Sequence, residues 1–277
     1  MKKRYIILII IFLTFLSIFH KQNNYVEDNV SLTVYFCPRD RCEKVILNYF
    51  YGANESILCA FYKLDIKEII KALNRSGLNV KLILDKNSPW IPIYAKRNLG
   101  NQLMHNKFCV IDERIVITGS FNPNKDSLHD INDLVVIHSK KVSKNYIKEF
   151  EEMWNGYFGF GSKTEHPSIK SNDITLETYF CPEDDCVEHV IKTLMKAKNS
   201  VYFSTFILTE PRIAEMLINL KNRGIKVIGI FERSTKSKFS KFELLKKNGL
   251  NVKTDNYKYY IHTKFFIIDN ETVITGS

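Results

Sequence analysis

Residues 105–122 read HNKFCVIDERIVITGSFN and residues 262–277 read HTKFFIIDNETVITGS. The first stretch sets out His105, Lys107, Asp112, Gly119, Ser120 and Asn122. The second repeats the spacing as His262, Lys264, Asp269, Gly276 and Ser277. Strand-type apolar residues lie on either side of Asp-Glu-Arg or Asp-Asn-Glu, which is the pattern of a hairpin. With the turn centred on Glu113-Arg114, Lys107 is expected opposite Ser120 and His105 opposite Asn122, all four on one face. Such a patch meets the needs of an anionic phosphoryl group. The ammonium neutralises nonbridging oxygens, the hydroxyl and amide donate to them, and the imidazole attacks or moves a proton. A lone His is more often a satisfied structural residue, but a pattern written twice is poorly explained that way.

The duplication extends outward from these runs. VYFCPRDRCEKVILNYF from Val34 is matched by TYFCPEDDCVEHVIKTLM from Thr178, 144 positions on. Each copy continues with a short apolar run (SILCAFY; SVYFSTFIL), an amphipathic helical segment (IKEIIKALNRSGLN; RIAEMLINLKNRGIK) and a buried-looking strand (VKLILD; VIGIFE). Strands alternating with helices predict α/β halves with mixed, largely parallel sheets flanked by helices. The expected boundaries are an N-terminal segment over 1–29, a first half over 30–160, a linker over 161–172 and a second half over 173–277. Two such halves are expected to pack about a pseudo-two-fold axis, so that equivalent residues meet. Cys37 with Cys42, and Cys181 with Cys186, predict local disulfides, with Pro38 and Pro182 at first helical positions. Buried thiols and a four-Cys zinc site rank behind that reading. Cys59 and Cys109 fall inside apolar runs and are expected in the core.

The chain of 277 residues carries 40 Lys plus Arg against 30 Asp plus Glu, a formal +10, with 45% apolar and 25% charged residues. That balance excludes a disordered chain and a multi-span membrane protein. Lys2, Lys3, Arg4 and Lys21 lie in the first 22 residues without an acid, so the remainder holds 36 − 30 = +6. The modest excess suits an anionic partner such as a phosphate ester. Residues 5–19 are uncharged after the basic MKKR. They predict an uncleaved N-terminal apolar helix acting as a signal anchor, with the folded part extracytoplasmic. The alternatives are secretion and a buried first helix.

The spacing HxK(x)4D(x)6GSxN resembles the phospholipase D superfamily of phosphodiesterases, over residues 32–277. The resemblance implies paired motifs forming one site that uses no metal or other cofactor. One His attacks phosphorus to give a phosphohistidine, and the other protonates the leaving oxygen and then activates water or an alcohol. Carried over, the catalytic set is His105, Lys107, Asp112, His262, Lys264 and Asp269, with Ser120, Asn122 and Ser277 binding phosphate. Within that set His105 is assigned as nucleophile and His262 as acid/base. Asp112 and Asp269 are expected to brace the hairpins. Family members often orient the His with a carboxylate beyond the GSxN strand, a role that falls here to Asp133 or Asp130. The second copy stops at Ser277, and weak stability and reduced activity are expected of the chain as it stands.

The segments before each motif differ. One has Trp90 and Tyr94 beside Lys86, Lys96 and Arg97. The other has Lys236, Lys238, Lys241, Lys246 and Lys247. A groove lined by cations and aromatics predicts nucleic acid as substrate. A phospholipid headgroup is the alternative, favoured by the anchor, and a non-catalytic, membrane-tethered phosphate binder is the third reading.

Overall fold

The protein is described here from a computed structural model covering residues 25–277 except Trp90, Ile91, Ile93, Asn101 and Lys236. The apolar run over 5–19, Trp90 and Lys236 therefore lie outside the described residues. Among the described residues no helix is long and apolar enough to cross a membrane.

The first half runs β1 (Tyr25–Val26), β2 (Ser31–Cys37), α1 (Cys42–Gly52), β3 (Ser56–Phe61), α2 (Lys67–Leu73), β4 (Asn79–Asp85), β5 (Ala95–Asn98), β6 (Lys107–Ile111), β7 (Ile115–Gly119), β8 (Asn132–His138) and α3 (Lys140–Trp154). The second comprises β9 (Ser168–Ser171), β10 (Ile174–Glu177), α4 (Cys186–Leu194), β11 (Ser200–Thr205), α5 (Pro211–Asn222), β12 (Lys226–Phe231), α6 (Phe242–Lys247), β13 (Asn251–Thr254), β14 (Lys264–Ile268) and β15 (Thr272–Thr275).

The seven-stranded sheet has the order β2-β8-β7-β6-β3-β4-β5 and the five-stranded sheet β13-β12-β11-β14-β15. The core of the second sheet thus repeats that of the first, strand for strand. The sheets are mixed, as expected, but not largely parallel. Parallel pairing is confined to β3–β4–β5 and to β11–β12–β13, while β3–β6, β6–β7, β7–β8, β2–β8, β11–β14 and β14–β15 run antiparallel. The cause is connection length. The segment between β3 and β4 carries a helix and can return the chain to the same end, whereas a three-residue turn between β6 and β7 must reverse it.

Helices cover both faces of the large sheet. From α1, Val45, Ile46 and Phe50 join Cys59, Leu82, Ile111 and Ile117 on one side. From α3, Val142, Phe150 and Met153 join Phe108, Val110 and Val116 on the other. Alternate residues of β6 therefore enter different cores, and the whole strand is buried. This explains its unbroken apolar run. The second half buries Phe203, Leu217, Leu220, Phe231, Phe242 and Leu245 in the corresponding way. It adds α6 between β12 and β13; among the described residues no helix lies between β4 and β5. The expected linker contributes β9, which pairs with β1 and β10 in a small third sheet.

Disulfides join Cys37 to Cys42 and Cys181 to Cys186 as expected. Pro38 and Pro182 lie in the turns before α1 and α4 instead of at their first positions. Cys59 and Cys109, expected as core thiols, are bridged. They sit directly opposite each other in the β3–β6 register.

Candidate active site

The two hairpins share a register one residue away from the expected one. Cys109 faces Ile117 and Ile111 faces Ile115, because Asp112, Glu113 and Arg114 together form the turn. Asp112 and Glu113 both take positive φ, as do Asp269 and Asn270 in the second copy. Lys107 therefore continues the register toward Gly119 and not Ser120. Gly119 itself has φ +131°, and a Cβ there would fall 2.4 Å from the Asp133 carbonyl oxygen, so only glycine fits.

The one-residue offset changes what Ser120 does. Its side chain is fully buried, and its hydroxyl donates to Asp133 Oδ1 at 2.8 Å. The hydroxyl expected to bind phosphate is thus engaged by Asp133. The part of Ser120 that reaches the site is its carbonyl, which accepts from His262 Nδ1 at 3.1 Å. The second acceptor for His262 Nδ1 is Asn132 Oδ1 at 3.0 Å. Asn132 is fully buried, and its Nδ2 donates to the Asp130 carbonyl at 3.4 Å, which fixes the sense of the amide. Neither carboxylate expected to orient the His does so. Asp133 accepts from Ser120 and from Thr275 Oγ1 at 2.6 Å, and Asp130 from the Tyr260 amide at 3.0 Å.

Residues 131 and 261 form a parallel bridge between the halves, with Ile131 N–H bonded to Tyr260 O and His262 N–H to Ile131 O, both at 2.8 Å. The end of the first GSxN stretch and the start of the second motif are thereby hydrogen-bonded together. Ser277 Oγ returns the contact by donating to the His105 carbonyl at 3.1 Å. Within each half the Lys folds over its own His. Lys107 Nζ lies 2.8 Å from the His105 carbonyl and 3.2 Å from Nδ1, and Lys264 Nζ donates to the His262 carbonyl. An aromatic ring supports each pair: Tyr62 lies 4.9 Å from the His105 ring and Phe206 5.1 Å from that of His262. Tyr62 and Phe206 are 144 positions apart, directly after β3 and β11. The repeat offset was the signal that could have found them.

These groups feel one another. Burial, then Lys107 and Lys264, pull the His105 pKa down to about 3 against the opposing charge of Asp85. Burial, then Lys264, Lys107 and His105, do the same for His262, also to about 3. Burial brings Lys264 to about 8, partly offset by Asp133 and Asp130, and burial followed by Lys264 holds Lys107 well below the ordinary ammonium value. Two neutral imidazoles and two destabilised ammonium groups thus share one site that an incoming anion would relieve. Asn122, two residues after Ser120, is buried, with Oδ1 unbonded among the described residues. Asp112 and Asp269 sit at the far ends of β6 and β14. Each carboxylate accepts three backbone amides, from Asn54, Glu55 and Ser56 or from Lys198, Asn199 and Ser200. These bonds tie the end of each hairpin strand to the segment before β3 or β11, away from the imidazoles.

The family pattern described as "cardiolipin synthase, PLD-like domain" matches residues 46–154 and 190–277, one block per half. The chain belongs to the phospholipase D superfamily. Its curated relatives include a phospholipase D of Rickettsia typhi, 36% identical over 103 residues, covering 37% of this chain and 50% of that protein. Another is a mitochondrial cardiolipin hydrolase of Xenopus laevis, 29% identical over 145 residues and covering 44% and 66%. The chain spans about half the length of the Rickettsia relatives it matches. Among solved structures, a phosphatidylserine synthase of Haemophilus influenzae shares the fold with a TM-score of 0.59 at 12% identity, over 86% of this chain and 76% of that one.

Of the basic segment expected to line a nucleic-acid groove, Lys86 Nζ donates to Gly100 O at 2.7 Å and Lys96 Nζ to Trp154 O at 2.6 Å. Tyr94 OH donates to Asn74 Oδ1 at 2.7 Å. All three are tied into the fold.

Proposed function

We propose that the chain hydrolyses a phospholipid-type phosphodiester through a phosphohistidine on His262, with His105 as acid and then base. The pinned tautomer of His262 carries this reading. Nδ1–H has two fixed acceptors, so Nε2 keeps its lone pair. In the first step, with the negative charge of the bound substrate raising the His105 pKa so that the ring takes up a proton, Nε2 of His262 bonds to phosphorus, the ester P–O bond breaks, and the departing oxygen takes that proton from His105. In the second, His105 removes a proton from water, the new P–O bond forms and the P–N bond breaks. Lys107 and Lys264 neutralise the nonbridging oxygens, and Asn122 donates to them. No metal enters either step. This reverses the roles expected from sequence for the two His.

A lipid substrate is supported by the names of the Rickettsia relatives and by the engagement of Lys86 and Lys96 elsewhere. Nucleic acid remains the second reading, favoured by interleaved aromatics and cations near the imidazoles. Lys63 lies over Tyr62 at 5.7 Å, and Tyr259 stacks on His129 at 4.8 Å with Lys258 over it at 5.3 Å. Headgroup release from phospholipid vesicles and cleavage of a labelled oligonucleotide, both in EDTA, separate the two. Cleavage of the oligonucleotide alone overturns the lipid reading, and binding without cleavage of either favours a non-catalytic phosphate binder. His105→Ala and His262→Ala should each abolish turnover. Alkali-quenched peptide mapping, which preserves the acid-labile P–N bond, should find the phosphate on His262, and finding it on His105 reverses the assignment. An extracytoplasmic location fits three disulfides. Rapid alkylation of six free thiols in cell extracts would argue against it.

A further inference from the structure

Each imidazole follows a short segment that crosses the ends of the parallel strands before entering β6 or β14. A buried carboxylate meets both segments at the same point. Asp85, the last residue of β4, accepts the Met104 amide through Oδ2 at 2.8 Å and the Asn87 amide through Oδ1 at 2.9 Å. Glu232, directly after β12, accepts the Ile261 amide through Oε2 at 2.7 Å and the Ser234 amide through Oε1 at 2.9 Å. Met104 precedes His105 and Ile261 precedes His262, while β4 and β12 are equivalent strands. The two acids differ by a methylene, yet both bonds recur in both halves. What the duplication has kept is therefore the contact and not the residue.

The setting is costly. Asp85 is 0% and Glu232 1% exposed, and neither has an ion-pair partner among the described residues. A buried charge held by amides alone is a poor way to stabilise a loop that a neutral acceptor could tie down. It is a good way to hold one peptide rigidly, because charge-assisted bonds are short and directional.

We propose that Asp85 and Glu232 are matched positioning residues, each fixing the reach of one reacting imidazole by gripping the peptide before it. The inference rests on the reading of His105 and His262 as the reacting groups. Asp85→Asn and Glu232→Gln each leave one oxygen for two backbone N–H groups, so one of the two bonds is lost and the grip on the peptide before the imidazole loosens. A misplacement of about 1 Å can cost about a hundredfold in rate.

The test is single-turnover hydrolysis of bis(p-nitrophenyl) phosphate by the whole chain in excess. Expected for both variants is a rate constant lower by roughly ten- to hundredfold, with full amplitude and KM within about threefold in steady state. Asp85→Glu and Glu232→Asp, which keep both oxygens as acceptors, should recover part of the rate, and they carry the test if the amide variants fail to fold. A rate constant within twofold of the parent protein overturns the proposal. So does a loss seen only as reduced amplitude, which marks a structural role. Should the parent protein itself show no turnover, or His262→Ala turn over normally, the reading of the imidazoles fails instead.

Discussion

Asp112→Asn separates bracing from chemistry, and its size can be worked from the contacts. Asp112 Oδ1 accepts the Glu55 and Ser56 amides at 2.8 and 2.9 Å, and Oδ2 accepts Asn54 at 3.0 Å. Asparagine tolerates the φ of 48° and keeps a neutral oxygen for two of the three amides. Converting two charge-assisted bonds to neutral ones costs about 1 kcal/mol each, and losing the third costs about 1.5 kcal/mol. Water reaches Asn54, so the total settles near 3 kcal/mol. For a chain of this size about 2–4 °C per kcal/mol follows, so the melting temperature should drop by roughly 6–12 °C. Burial raises the Asp112 pKa, but the amides of Ser56, Asn54 and Glu55 outweigh it and hold it below the ordinary carboxylate value. A depressed folded pKa stabilises above the unfolded value and is lost as pH falls through the folded one. The gap between parent and variant should therefore be full at neutral pH and close in acid. Lys107 lies five residues away along an extended strand, roughly 16 Å at about 3.3 Å per residue, so kcat at a temperature where both are folded should agree within twofold. Calorimetry across pH and a phosphodiester assay check both halves. A hundredfold loss of kcat with an unchanged melting temperature would refute the bracing role.

Three further outcomes follow from the site and core. Because Lys264 titrates at about 8, kcat/KM should decline above pH 8 as its positive charge is lost. A flat profile to pH 10 would remove Lys264 from phosphate binding. Asn132→Leu takes away one acceptor of His262 and should lower kcat by about ten- to hundredfold, the scale on which a misoriented nucleophile loses rate; an unchanged kcat would leave Ser120 O as the sole determinant of the tautomer. The Cys59–Cys109 bridge spans 50 residues and the other two span 5. In the chain-entropy view that is about 4 against 2 kcal/mol. The Cys59→Ala/Cys109→Ala double variant should therefore melt well below Cys37→Ala/Cys42→Ala, and the reverse order would count against that account.

The duplicated motif could be read in the sequence because chemistry fixed it at constant spacing, and with it the α/β halves and the bracing role of Asp112 and Asp269. The hairpin register could not. One extra residue in the turn, allowed because Asp112 and Glu113 both adopt positive φ, moves Ser120 from the Lys107 face into the grip of Asp133. Parallel pairing was over-expected, since apolar runs such as β6 look the same whether helices or neighbouring antiparallel strands bury them. Asn132 was passed over because a carboxylate was sought, and the structure uses an amide. The Cys59–Cys109 bridge needed the β3–β6 register, which no local pattern encodes. Asp85 and Glu232 ended strands that were recognised, but their partners lie 19 and 29 residues further along.

The backbone hydrogen bond from His262 N–H to the Ile131 carbonyl has a dynamic corollary. Because the backbone of His262 hangs on a residue of the opposite lobe, any breathing apart of the lobes pulls on the reacting ring before either sheet is disturbed. Competence is then a property of the closed interface: separately produced lobes could each retain their strands and still be inert, and rates should track how tightly the seam is shut.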